Sequence, residues 1–190
     1  MTIRGHCMFY EYKNNVLPIQ ECDQLIDLAL KTGFEPAKVQ VYGEQKSLNN
    51  IRNNTRLEFD DKILAQRLEY LLKDSLQDKF PSVINNRDFF KMSSHFRMYC
   101  YEPGQYFKPH RDGHYKENDV ETLITALFYL NTTIGGQTIL MPKGFKEKDS
   151  WITISPVQES VLMFEHDIFH EGLPVTQGEK YVLRTDLFYK

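Results

Sequence analysis

The hexapeptide Pro109-His110-Arg111-Asp112-Gly113-His114 gathers two imidazoles and a carboxylate. His110 and Asp112 stand two positions apart, so on an extended strand both side chains point to one face. An imidazole nitrogen and a carboxylate oxygen on one face can bind a single metal ion if a third ligand arrives from elsewhere. His166 and His170 in FEHDIFHEG are distant candidates, and His114 is a local one. With His170 as the third ligand, the set is two histidines and one carboxylate with coordination positions left open, which suits non-haem Fe(II) and O2 chemistry. A closed structural zinc site takes four protein ligands, often thiolates, and no cysteine pair is at hand. His166 and His170 are four apart, a zinc-binding spacing on a helix. However, they follow a strand-like run, and the glutamate of an HExxH motif is missing.

A cation strengthens the reading. Lys180 lies ten positions after His170 and opens KYVLRTDLFY, a run that reads as a buried strand. A lysine entering a β core is costly unless an anion meets it. Arg184 shares its parity, so both can point inward. A metal triad beside a buried cation would accept a dicarboxylate, one end on the metal and the other on the cation.

These residues need a rigid frame. Cys22, Leu25, Ile26, Ala29 and Leu30 form an apolar stripe that predicts a helix over 20–33, with Gly33 as its C-terminal cap. A second helix is predicted over 60–73, with Asp60 and Asp61 at its N-terminus and Leu64, Leu68, Leu71 and Leu72 on its buried face. From residue 94 the period changes to two. Phe96, Met98 and Cys100 alternate with Arg97, Tyr99 and Tyr101, Pro103-Gly104 makes a turn, and Tyr106, Lys108, His110 and Asp112 share a parity on the next predicted strand. LITALFYLN (123–131), QTILM after the Gly135-Gly136 turn, WITISP (151–156), ESVLMFEH (159–166) and KYVLRTDLFY (180–189) complete the strands. The pattern predicts an α+β protein: a double-stranded β-helix, or cupin-like jelly roll, with the N-terminal helices packed on its outside. The 190 residues suit one domain, about 1–93 as support and about 94–190 as the jelly-roll core.

Composition narrows the partners. The net charge is −3 and no Lys/Arg cluster is dense, so no nucleic-acid partner is expected. An oxygenase acting on nucleic acid would require a basic channel near His110. No apolar run approaches the length of a membrane span, and no signal-peptide core opens the chain, so no membrane association is expected. The odd cysteine count (Cys7, Cys22 and Cys100) and the lack of CxxC point to free thiols in a reducing, cytoplasmic setting. Arg52 and Arg56 in IRNNTR are expected as solvated arginines, with contact to substrate at a pocket mouth as the sharper alternative. Trp151 is expected in the core or at the rim, and Lys146 to Asp149 as a solvated loop.

Several segments resemble the prolyl 4-hydroxylase-like 2-oxoglutarate/Fe(II) oxygenases in order: YCYEPGQYFKPHRDG, FYLNTTIGGQTIL and SPVQESVLMFEHDIFHEGLPVTQGEKY. ECDQLIDLAL and IRNNTRLEFDD extend the likeness more weakly toward the front. The resemblance implies His110, Asp112 and His170 as iron ligands and Lys180 as the partner of the distal carboxylate of 2-oxoglutarate. It also implies Tyr101 and Tyr129 as walls of the cosubstrate pocket. Arg184 has no firm counterpart in that pattern and could assist Lys180, replace it or touch substrate. GGQT stands where an acidic residue is commoner in the third position. The implied activity is hydroxylation of an unactivated C–H bond of a prolyl or other amino-acid residue, with release of succinate and CO2. Fe(II), 2-oxoglutarate and O2 take part, ascorbate is a candidate reductant, and a peptide or small molecule is the substrate. A non-catalytic cupin-like metal-binding or sensor domain is the alternative; it would keep the triad without needing Lys180 and the tyrosines.

Overall fold

Two alternating stretches, His95–Tyr101 and Lys180–Tyr189, lie side by side at the centre of the fold, with Lys180 opposite Tyr101 and Arg184 opposite Arg97. The structure is a computed structural model that describes residues 8–41, 44–46 and 48–190. Along the chain run β1 (Tyr10–Lys13), α1 (Ile19–Thr32), β2 (Thr55–Asp60), α2 (Lys62–Leu76), β3 (Arg87–Met92), β4 (His95–Tyr101), β5 (Phe107–His110), β6 (Val120–Tyr129), β7 (Thr138–Met141), β8 (Ile152–Ile154), β9 (Ser160–Glu165), β10 (Phe169–Gly172) and β11 (Lys180–Tyr189), with shorter strands between them.

The larger sheet is ordered β1-β9-β6-β11-β4-β2 and ends on the short strand Glu35–Pro36. The smaller sheet is ordered β8-β7-β10-β5. Neighbours in both pair antiparallel. Strand β11 shows why the fold has two cores. Its Tyr181, Leu183, Leu187 and Tyr189 join an outer cluster with Phe96, Met98 and Cys100 from β4, Cys22 and Ala29 from α1, and Leu68, Leu72 and Leu76 from α2. Its Val182 faces the other way and packs with Tyr99, Tyr101, Tyr129, Leu140 and Phe164. Side-chain alternation thus assigns one face of the larger sheet to the helices and the other to the jelly-roll interior. This is the jelly roll with external helices that the sequence predicts.

The helices form for the reasons read from the sequence. Asp61 caps α2 by accepting hydrogen bonds from the Ile63 and Leu64 N–H groups, each 2.9 Å. Gly33 ends α1 at φ +96°, its N–H bonded to the Ala29 carbonyl. The structure corrects details. Asp60 is the last residue of β2 rather than part of the helix. Leu30 is 55% exposed because it lies off the face that Cys22 and Ala29 bury. Strands β1, β3 and β10 carry no clear period of their own and owe their form to their pairing partners. Cys7 lies outside the described residues; Cys22 and Cys100 are buried free thiols pushed up to about 11 by burial.

Candidate metal centre and cosubstrate pocket

The smaller sheet supplies both imidazoles. His110 ends β5 and His170 lies on β10, and the two are direct register partners. Their rings sit 4.1 Å apart between centroids. His110 Nδ1 lies 2.8 Å from the Lys108 carbonyl, and His170 Nδ1 lies 3.0 Å from the Ile168 carbonyl. A carbonyl can only accept, so each Nδ1 carries the proton and each Nε2 keeps a free lone pair. Burial lowers both imidazole pKa values, that of His110 to about 3, so both rings are neutral. Phe107 stacks on His110 with a 3.5 Å centroid separation and fixes the ring plane.

The larger sheet holds the carboxylate. Asp112 lies past the end of β5, not on the extended strand predicted through residue 112; the pairing with β10 ends at His110, opposite His170. Its carboxylate is 8% exposed in residue terms and is gripped from two strands. Arg184 Nη1 on β11 donates to Oδ1 at 2.7 Å, and the Thr125 hydroxyl on β6 donates to Oδ2 at 2.6 Å. Burial by itself would raise this carboxyl, but the charge of the Arg184 guanidinium holds it well below the usual range. The carboxylate is therefore ionised and still has lone pairs to spare.

His110, Asp112 and His170 present one ligand atom each within 4.8 Å of one another. His110 Nε2 to Asp112 Oδ1 is 3.9 Å and His170 Nε2 to Oδ2 is 3.7 Å. With both rings neutral these separations are not ion pairs, but they are the span of donors around a shared cation. Two neutral nitrogens, one carboxylate and no thiolate fit a non-haem Fe(II) site. The outer hydrogen bonds to Lys108, Ile168, Thr125 and Arg184 orient those donors.

His170 is thus the candidate that meets His110 and Asp112. His166 is fully buried, with Nε2 3.4 Å from Asp186 Oδ1, and His114 lies between Glu121 and Asp167, its ring against that of His166. Neither joins the triad.

A narrow cavity runs from the triad to Lys180, walled by Tyr99, Tyr101, Tyr129 and Thr138. Lys180 is 3% exposed, donates to the Gly136 carbonyl at 2.6 Å, and lies over the Tyr101 and Tyr129 rings at 4.9 and 5.9 Å. No carboxylate pairs with it among the described residues, and burial lowers its pKa to about 7. A β-carbon on Gly136 would come within 3.0 Å of Lys180 Cδ, so glycine at this position leaves room for the lysine chain. Tyr129 donates to the Thr138 hydroxyl at 2.8 Å. Burial raises both phenols, Tyr101 to about 12, so they stay protonated.

Arg184 points inward as its parity predicted, yet its charge is already matched by Asp112 and, at 3.0 Å, by Asp186. Sequence reasoning missed Thr125, Phe107, Thr138 and Asp186. Asp186 could have been found, since it shares the parity of Lys180 and Arg184 on β11. Arg52 is corrected from solvated to buried, at 4% exposure. Arg56 lies close to Glu58 at 3.1 Å and donates to the Lys38 carbonyl. Trp151 is half-buried and donates to the Gly144 carbonyl, and residues 146–149 are exposed, as expected.

Residues 96–185 match the family model of the 2OG-Fe(II) oxygenase superfamily. No curated protein sequence matches the chain. Among solved structures, the chain is similar to a Trichoplax adhaerens prolyl hydroxylase in complex with a hypoxia inducible factor oxygen degradation domain peptide fragment (TM-score 0.69, 21% identity, 94% of this chain and 83% of that one). It is similar also to the viral collagen prolyl hydroxylase of Paramecium Bursaria Chlorella virus-1 in its 2OG complex (TM-score 0.66, 23% identity, 97% and 99%). A Pseudomonas putida prolyl-4-hydroxylase shares the same fold (TM-score 0.64, 17% identity, 94% and 91%). No helix among the described residues is long and apolar enough to cross a membrane.

Proposed function

We propose that this chain, whose residues 96–185 match the 2OG-Fe(II) oxygenase family model, hydroxylates an unactivated C–H bond of a prolyl or other amino-acid residue. The observation that carries the reading is one cavity with the His110, Asp112 and His170 donor atoms at one end and, at the other, a buried lysine without a counter-ion among the described residues. Fe(II), with 2-oxoglutarate and O2, supplies the oxidation: the substrate C–H becomes C–OH while the cosubstrate leaves as succinate and CO2.

The chain's own residues orient and shield that chemistry. His110 Nε2, His170 Nε2 and an Asp112 oxygen hold the iron. Thr125 and Arg184 fix the Asp112 carboxylate so that it cannot turn away. Lys180 takes the distal carboxylate of 2-oxoglutarate in a charge-assisted hydrogen bond, and Tyr101 and Tyr129 flank it as protonated walls. Their rings keep water from the lysine. Arg184 serves the metal end and does not anchor the cosubstrate. We assign the whole of 1–190 to one such domain, ascorbate as the reductant, and a cytoplasmic setting that suits two buried free thiols. We take a peptide as the substrate; its candidate site is the open groove between α2 and the larger sheet lined by Phe90, Arg97, Tyr115 and Asp186, which the Asp186–Arg184 pair joins to the metal end. The named prolyl hydroxylase neighbours, one in complex with a peptide, support that choice.

The test is anaerobic calorimetry of 2-oxoglutarate with Mn(II) in place of Fe(II), on wild type, Asp112→Ala and Lys180→Ala. Metal-dependent binding lost in both variants is the expected result. Tight metal binding with no response to 2-oxoglutarate would sink the oxygenase reading.

A further inference from the structure

Arg52 stands outside every role assigned so far. It is 4% exposed, and its Nη2 is buried without a hydrogen-bond partner. Its Nε donates to Asn54 Oδ1 at 3.0 Å, and the guanidinium also hydrogen-bonds the Tyr101 side chain, so Nη2 is the nitrogen left over. No carboxylate pairs with this guanidinium among the described residues. A buried charged donor left unmade is rare and costly, and a ligand that brings an acceptor is one physical reason to keep it.

Its position says which ligand. The guanidinium carbon lies 4.1 Å from the centroid of Phe107 and 4.9 Å from that of Tyr99, both wall residues of the cosubstrate cavity. Phe107 stacks on His110 with its other face, so Arg52 sits directly behind the wall of the metal end, and it reaches Tyr101 at the side of the cavity. A backbone bridge between Arg52 and Phe107 pins it there. Tyr101, the ring beneath Lys180, also feels the charge of Arg52.

Charge balance points the same way. Among the described residues, Arg184 is matched by Asp112 and Asp186, and Arg97 by Asp186 and Glu58, whereas no carboxylate pairs with Lys180 or Arg52. A dicarboxylate carries two negative charges, one for each of the unmatched cations. Resting on the oxygenase reading above, we propose that Arg52 is the second cationic anchor of 2-oxoglutarate, its Nη2 donating to the carboxylate at the metal end while Lys180 holds the distal one.

The two ends can be separated chemically. Pyruvate keeps the 2-oxo group and its adjacent carboxylate but lacks the distal carboxylate. Both ligands would be titrated anaerobically into the Mn(II)-loaded protein, with wild type beside Arg52→Met, Arg52→Lys and Lys180→Met. Arg52→Met is expected to weaken 2-oxoglutarate and pyruvate by a common factor of about tenfold or more, the scale of a charged hydrogen bond. Lys180→Met should weaken 2-oxoglutarate and leave pyruvate unchanged. Arg52→Lys, which keeps the charge, should recover part of the loss for both ligands and covers the case in which the methionine variant does not fold. The inference is overturned if Arg52→Met, with native circular dichroism and native Mn(II) affinity, binds 2-oxoglutarate like wild type. It is equally overturned if that variant loses 2-oxoglutarate alone and keeps pyruvate. Wild type that binds no 2-oxoglutarate would instead bring down the oxygenase reading, and this inference with it.

Discussion

Lys180 and Arg184 stand four residues apart on β11 and face the same interior, yet the protein treats them in opposite ways. Arg184 is clamped between Asp112 at 2.7 Å and Asp186 at 3.0 Å, and those carboxylates push its pKa up in spite of burial. Among the described residues Lys180 has a carbonyl and two aromatic faces as partners, and burial pulls its pKa down to about 7. One cation completes a network within the protein; the other has no anion in that network, which is why we propose it as the anchor of the cosubstrate. The difference teaches how to tell a structural charge from a binding charge when both are buried: by whether the chain supplies the counter-ion.

The comparison breaks most visibly at Arg184. Arg184→Met leaves the buried Asp112 carboxylate without its cation and Asp186 with Arg97 alone, at 3.4 Å, and the metal-free protein should lose about 3–5 kcal/mol of stability, the usual cost of removing one partner of a buried pair. Urea unfolding would measure it. Part of the loss should return with Mn(II), because the metal gives Asp112 a new counter-ion. A variant as stable as wild type would show that the pairs at Asp112 and Asp186 contribute nothing.

Lys180→Met should do the reverse. The folded protein binds the lysine proton near pH 7, whereas the unfolded chain keeps it to about pH 10.5. Between those values the unfolded state holds the extra proton, so metal-free wild type should gain stability as the pH rises through that window. The methionine variant should lack this slope and be more stable at neutral pH by a few kcal/mol, while binding 2-oxoglutarate about 10- to 100-fold more weakly. Equal stability profiles for the two proteins would count against a desolvated lysine.

As the proposed anchor, the same lysine should set the pH dependence of cosubstrate binding. Below about pH 7 Lys180 is already cationic and affinity should be flat. Above it, each ligand must bring a proton with it, so affinity should fall by about tenfold per pH unit. Calorimetry in buffers of different ionisation enthalpy would show the proton uptake directly. Arg184 cannot produce such a profile, since it stays charged throughout. A flat affinity up to about pH 9 would mean that Lys180 does not hold the distal carboxylate.

The legibility of these features divides by the range of the interaction that makes them. Strand β11 was readable to its ends because its alternation is dense and both its faces are buried. The cap Asp61 and the inward parity of Lys180 and Arg184 were readable because they depend on neighbours a few residues away. Spacing alone did not settle the third triad member among His114, His166 and His170; the family resemblance pointed to His170. Phe169–Gly172 has no strand pattern, and only its pairing with β5 puts His170 beside His110. The grip on Asp112 was invisible for the same reason, since Thr125 and Arg184 arrive from strands 13 and 72 positions away. Arg52 reads as a surface arginine until the chain returns at Phe107 to cover it.

The finest test of the comparison changes neither cation. Gly136 sits at φ +66°, and its carbonyl is the sole hydrogen-bond acceptor seen for Lys180 Nζ among the described residues. An alanine there must adopt a left-handed conformation at a cost of about 1–2 kcal/mol. Its β-carbon would also crowd Lys180 Cδ and Val175 Cγ2, each at 3.0 Å. Gly136→Ala should therefore tilt the ammonium away from its place and weaken 2-oxoglutarate a few-fold, less than one charged hydrogen bond is worth. Arg184 makes no contact with this turn, so Mn(II) affinity should not change. If Gly136→Ala weakened the metal as much as the cosubstrate, the two ends of β11 would be coupled, and the separation of a structural cation from a binding cation would not stand.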